Sequence, residues 1–195
     1  MDFNNFNSRE LAETGAPMQI LNPSVPKGDA IKTDDGKPCR VIVRGAASRS
    51  IQAKIRAKQK AAMMSKKAKK GSEADEARVM EDVHNDLCEG AAPFIVGFEN
   101  VNRGDRPCTA DGSEKEIIDG VEVEVSDIDW FLGLTFPDMG VKEDAEGNNV
   151  MQDGTDDDGK PIKTPEFEMK NNPFAKQIGE FAAKQANFLG KTKKA

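Results

Sequence analysis

The chain has one histidine, His84, and one tryptophan, Trp130, and aromatic residues make up only 6% of its 195 positions. A single histidine set in a charged helical segment excludes the His-Glu-x-x-His metalloprotease pattern and leaves no partner for His-based acid–base work. The three cysteines, Cys39, Cys88 and Cys108, are too widely spaced for a zinc knuckle and include no Cys-x-x-Cys pair. Their odd number fits free thiols in a reducing compartment. There is no Gly-x-x-x-x-Gly-Lys-Ser/Thr loop and no Gly-x-Ser-x-Gly elbow. The acidic run Asp153–Asp158 lacks the ligand alternation and the terminal bidentate Glu of a calcium loop. Together these absences point to a non-enzymatic protein without metal or cofactor. No apolar run reaches the length of a membrane span, and Met1–Gly15 is polar without a signal-peptide core. The expected location is cytoplasmic.

What is present is charge. Charged residues are 32% of the chain, hydrophobic ones 37%, and mean hydropathy is -0.63. Such a composition supports ordered islands joined by polar segments. The net charge of -6 hides an asymmetry. Lys37–Lys70 holds twelve basic and no acidic residues, and Glu143–Asp158 holds seven acidic and no basic ones. The basic set Arg49, Lys54, Arg56, Lys58, Lys60, Lys66, Lys67, Lys69 and Lys70 could neutralise phosphates. No aromatic residue is interleaved to stack bases, which argues against nucleic acid and for solvated surface or an acidic protein face.

Residues 1–15 read as a flexible arm, with Phe3, Phe6 and Leu11 as stray apolar positions. A small β unit follows over 16–45: Met18–Leu21, the turn-rich Asn22–Gly28, the Asp35-Gly36 turn and the β-branched Cys39–Val43. Residues 46–136 read as a helical domain. Ala47, Ile51, Ile55, Ala62 and Met63 form one stripe, and Ala77, Met80, Val83, Leu87 and Ala91 another. Between them lies a lysine-rich break, after which Ser72 and Asp75 make a capping-box start. Phe94–Val101 reads as a buried crossing segment, and Ile117–Val125 alternates as an acidic strand or hairpin inserted near 111–125. Ser126 and Asp129 repeat the capping pattern ahead of Trp130 and Phe131. Residues 137–171 read as a flexible acidic insertion.

The last element, over 172–190, is the best defined. Asn172 can cap, Pro173 suits the first helical position, and Phe174, Ile178, Phe181, Phe188 and Leu189 fall on one apolar face. Burying each such side chain stabilises by about 1.5–3 kcal/mol, so this face is expected to pack on its own domain or on a partner. The resulting expectation is an α+β chain: a small N-terminal β-hairpin or meander, then a mainly helical domain closed by a C-terminal amphipathic helix.

Three patches carry a resemblance: Val96-Gly97-Phe98-Glu99-Asn100-Val101, the short segment Ser126–Leu134, and Asn172-Pro173-Phe174-Ala175-Lys176-Gln177-Ile178-Gly179-Glu180-Phe181 closing with Ala186-Asn187-Phe188-Leu189. In this order they resemble the tail assembly chaperones of long-tailed (siphovirus-type) bacteriophages, over about Gln19–Leu189. The acidic segments around Glu114–Glu124 and Val141–Glu166 depart from that pattern as insertions, and Phe98 stands where the family often has Trp. The resemblance implies a non-catalytic protein of the host cell cytoplasm that binds the tape-measure protein, keeps it soluble, helps recruit tail-tube subunits and is absent from the virion. It leaves a homo-oligomer open. The partner-binding candidates are Phe94, Phe98, Trp130, Phe131, Phe174, Ile178, Phe181, Phe188 and Leu189. A structural virion component (tail tube or head–tail joining protein) and a small basic-helix nucleic-acid binder are the alternatives.

Overall fold

The computed structural model describes residues 12–64, 76–155 and 160–188. Phe3, Phe6 and Leu11, the lysine-rich break with the Ser72 cap, the end of the Asp153–Asp158 run, and Leu189 with the terminal lysines lie outside the described residues.

The N-terminal β unit is a hairpin of β1 (Ala16–Gln19) and β2 (Arg40–Val43), antiparallel with Ala16 opposite Val43. The connection between them is pinned by Ile31 N donating to the Ile20 carbonyl and Cys39 N to that of Ile31. β3 (Ile95–Glu99) pairs with the other side of β2, giving the sheet order β1-β2-β3. Strand alternation places Met18, Val41, Val43 and Ile95 on the buried face. The expected crossing segment Phe94–Val101 thus holds a third strand, Ile95–Glu99, set antiparallel to β2, in which only Ile95 is fully buried.

Helix α1 (Arg49–Met64) starts where Ser48 Oγ accepts from Ile51 N at 3.2 Å. The Glu13 carboxylate accepts from Ser50 N, so the end of the expected arm is tied to this helix start. Ala12 is itself buried: a Cβ on Gly45 would lie 2.8 Å from Ala12 Cβ and 2.9 Å from the Phe188 ring, so only glycine fits there. α2 (Glu76–Ala91) leads through a 3-10 turn (Ala92–Phe94) into β3.

After β3 come three further hairpins. The first joins β4 (Asn102–Arg103) to β5 (Arg106–Pro107), and the second joins β6 (Ser113–Ile118) to β7 (Val121–Ser126). The β6–β7 turn has positive φ at both Asp119 (51°) and Gly120 (78°), the geometry of a two-residue type I′ turn. α3 (Asp127–Gly133) follows directly, capped by Ser126 Oγ accepting from Asp129 N at 3.0 Å, as the Ser-x-x-Asp spacing suggests. Beyond it, β8 (Met139–Val141) pairs with β11 (Phe167–Met169), and β9 (Met151–Thr155) pairs with β10 (Pro161–Pro165).

The expectation of a mainly helical domain is therefore corrected. The chain is mixed α/β, with eleven short strands in five small antiparallel sheets among the described residues. The cause is local. Four of these sheets are two-stranded ribbons held by ladder bonds and turn chemistry with little buried area, so they give no long hydrophobic period to read. The described residues of 137–171, expected as a flexible insertion, pair as nested ribbons, β9–β10 inside β8–β11: Val150 N donates to the Lys142 carbonyl, and Glu166 N to that of Val150.

α4 (Phe174–Ala183) closes the core, and Lys184 leaves helical geometry (φ -79°, ψ 98°) before a 3-10 turn at Gln185–Phe188. The expected single helix is thus a helix plus a folded-back turn, with Phe188 returning edge-on to Phe181 at 5.8 Å. Asn172 does not cap it. Instead Phe174 N donates to Thr135 Oγ1 at 2.8 Å, so a residue 39 positions earlier supplies the cap. Gln177, buried, donates to the carbonyls of Leu21 and Asn172 and accepts from Leu21 N, which fastens α4 to the end of β1.

Candidate partner-binding surface

Most residues that sequence reasoning assigned to a partner lie inside the chain's own core. Phe131, Phe174, Ile178 and Phe188 are buried, and Phe94, Phe98, Trp130 and Phe181 pack half-buried on the same cluster or its edge. Their rings form a seam. Phe131 stacks on Phe174 at 4.7 Å between ring centres, and Phe98 meets Phe131 edge-on at 5.3 Å. A partner could not touch the middle of this seam without opening the fold. Leu189 lies outside the described residues.

The seam does bring neighbouring surface into place. α3 packs against α2 and leaves a shallow cleft of about 340 Å³ lined by His84, Asn85, Cys88 and Glu89 of α2 and by Asp129 and Gly133 of α3. Where α3 ends, Leu134 (53% exposed) and Phe136 (50% exposed) stay in solvent. Phe136 covers His84 at 4.6 Å between ring centres, and Asn171 Nδ2 holds its carbonyl at 2.8 Å. An apolar pair beside a mixed polar cleft is a surface that an amphipathic helix could cover.

Cys88 and His84 are one helical turn apart, with Sγ 3.7–3.8 Å from the ring nitrogens. Burial, with a smaller effect of the Asp129 carboxylate, pushes the Cys88 thiol up, and burial pushes His84 down. Both shifts favour neutral forms, the reverse of a thiolate–imidazolium pair. The geometry thus gives Cys88 no activation as a nucleophile. Among the described residues no group of three His, Cys, Asp or Glu side chains is placed to hold a metal ion.

Sequence reasoning missed the most strongly coupled charges. Asp127, fully buried at the first position of α3, accepts from Arg106 Nη1 at 2.7 Å and Nη2 at 2.5 Å, from Arg103 Nη1 at 3.3 Å, and from Thr109 N at 2.9 Å. Arg103 also pairs with Glu116 and Glu114, and Arg106 with Glu114. The Arg103 guanidinium lies 5.5 Å over the Trp130 ring. The Arg106 bonds, outweighing burial, hold Asp127 down to about 2. This network fastens β4–β5 and β6–β7 to the start of α3. Glu114 and Glu116 sit two apart on one strand face, a spacing visible in sequence, but only pairing shows that they meet two arginines.

No helix among the described residues is long and apolar enough to cross a membrane. No family model, curated protein or solved structure matches the chain.

Proposed function

We propose that this protein is a non-catalytic tail assembly chaperone of a long-tailed bacteriophage, acting in the host cytoplasm on the tape-measure protein. One observation carries the reading. The three separate patches behind the resemblance, at Phe98, Phe131 and Phe174, meet ring against ring in a single seam. Patches spread over some eighty residues are then explained together, as the fold-defining core of one kind of protein. Their burial leaves Leu134 and Phe136, beside the α2–α3 cleft where Phe136 meets His84, as the surface for an exposed apolar helix of the tape measure. Modest affinity at one such patch, repeated along a long target, gives a coat that tail-tube subunits can displace.

The tail-tube alternative has less support. Among the described residues strands reach at most six residues and lie mostly in isolated ribbons, whereas a tube ring needs long paired strands between subunits.

The test is co-expression with the tape-measure protein of the same genome, comparing wild type with Leu134→Asp plus Phe136→Asp. The wild type should keep the tape measure soluble and co-purify with it. The variant should lose both properties while its circular dichroism and melting temperature hold. A tape measure that stays insoluble beside the wild-type chain, or mass spectrometry finding the chain as a stoichiometric component of purified virions, overturns the reading.

A further inference from the structure

Helix α1 is fixed to the body at its first turn. Ser48 and Ile51 are fully buried there, and Gln52 Nε2 donates to the Ala46 carbonyl at 2.7 Å. From Ala53 to Ala57 every residue is exposed. Ile55 is among these, flanked by Lys54 and Arg56, and neither cation makes an ion pair with another described residue. Beyond its buried first turn, the Ala53–Ala57 turn of α1, with Ile55 38% exposed, lacks the packing that stabilises most helices in proteins.

The opposite chemistry is found on the β6–β7 hairpin. Ile117 is 79% exposed, the most exposed large hydrophobic side chain among the described residues. It lies directly across from Glu122, with the Lys115–Glu124 pair next on the same face. Lys115 bonds Glu122, and Ser113 bonds Glu124, both at the surface where such contacts contribute little. The ribbon is two-stranded, so nothing in its own sheet covers it. Its six-residue strands span about 20 Å, and the sixteen-residue α1 spans about 24 Å.

We propose that these two surfaces recognise each other between copies of the chain. Ile117 with Glu122 and Glu124 of one molecule docks on Ile55 with Lys54 and Arg56 of another, giving self-association through unlike surfaces. Charge complementarity selects the occupant, because the ribbon face sets Ile117 beside two carboxylates and one lysine, a net negative charge, and the helix sets Ile55 between two cations. An interface of this size lies at the small end of specific contacts, so dissociation constants on the order of 10–100 μM are expected. The inference stands apart from the tail-assembly reading: a chain that binds tape measure yet stays monomeric defeats this proposal alone.

Sedimentation of the full chain tests it. The average mass should rise with concentration up to about 200 μM, and the rise should weaken at least tenfold between about 0.05 and 0.5 M salt. Lys54→Glu plus Arg56→Glu, or Glu122→Lys plus Glu124→Lys, should each weaken association at least tenfold, and mixing the two variants should restore it. Restoration also shows that both variants are folded. Should either charge reversal fail to fold, Lys54→Gln plus Arg56→Gln serves in its place, with the same loss expected. A wild type that stays monomeric throughout, variants that associate like wild type, or a mixture that fails to associate overturns the proposal. So does a helix variant that loses binding to a short DNA duplex while its mass distribution is unchanged, since α1 would then serve a polyanion.

Discussion

Replacing Asp127 by Ala should be among the most damaging single changes outside the apolar core. Its carboxylate is fully buried and takes two bonds from Arg106, one from Arg103 and one from Thr109 N. Removing one member of a buried charge network costs about 3–5 kcal/mol, here because both arginines lose their one fully buried partner and keep only part-exposed Glu114 and Glu116 as counter-charges. The shift of the carboxyl itself accounts for part of this. With its pKa held at about 2 against an ordinary 3.8, the group contributes roughly 2–3 kcal/mol. The sign follows from the depressed value: this stability is complete above pH 3.8 and is lost as pH falls through about 2. The remainder of the cost comes from Arg103, which is 5% exposed and would keep Glu114, Glu116 and the Val125 carbonyl as partners but lose its one fully buried counter-charge. Urea unfolding followed by Trp130 fluorescence reports on the site, because that ring lies beneath the Arg103 guanidinium. Two outcomes would refute the reasoning. One is a loss below about 1 kcal/mol, the scale of a surface ion pair. The other is an acid-unfolding profile for the variant as steep as that of wild type between pH 4 and 2, which would place the depressed carboxyl elsewhere.

Two further substitutions test the closure of the core. Phe131→Ala removes the ring between Phe98 and Phe174 and should cost about 3–5 kcal/mol in equilibrium unfolding; a loss below about 1.5 kcal/mol would mean that the seam adds little beyond its neighbours. Thr135→Val keeps the shape but removes the acceptor for Phe174 N, so stability should fall by about 1–2 kcal/mol, with faster amide exchange in the first turn of α4. Unchanged exchange there would show that the cap lies elsewhere.

The local elements with strong patterns could be read from sequence. Val41 and Val43 alternate into a buried strand face, Ser126 and Asp129 mark the start of α3, and Phe174, Ile178 and Phe181 mark one face of α4. These signals survive because their cause lies within a few residues: side-chain period, cap spacing and fixed φ. The ribbons at 102–107 and 139–169 escaped because their stability rests on backbone pairing and turns, with side chains left largely in water. Phe98, Phe131 and Phe174 were legible as apolar residues, and the terminal helix was expected to pack on its own domain or on a partner, but that the three rings form one seam was not readable. Thr135 capping a helix 39 residues later, and Asp127 holding two arginines from another hairpin, have no local signature at all.

The sequence alone thus determined which segments are apolar, where α3 begins, and how charge is divided between a basic helix and acidic segments. Only the tertiary structure decided which apolar residues remain for a partner. Burial is a property of the assembled chain: it withdrew Phe131, Phe174 and Ile178 into the core and left Leu134, Phe136, Ile55 and Ile117 in solvent. Hydrophobicity is the same in both sets, and the difference between core and contact surface arises only when distant segments meet.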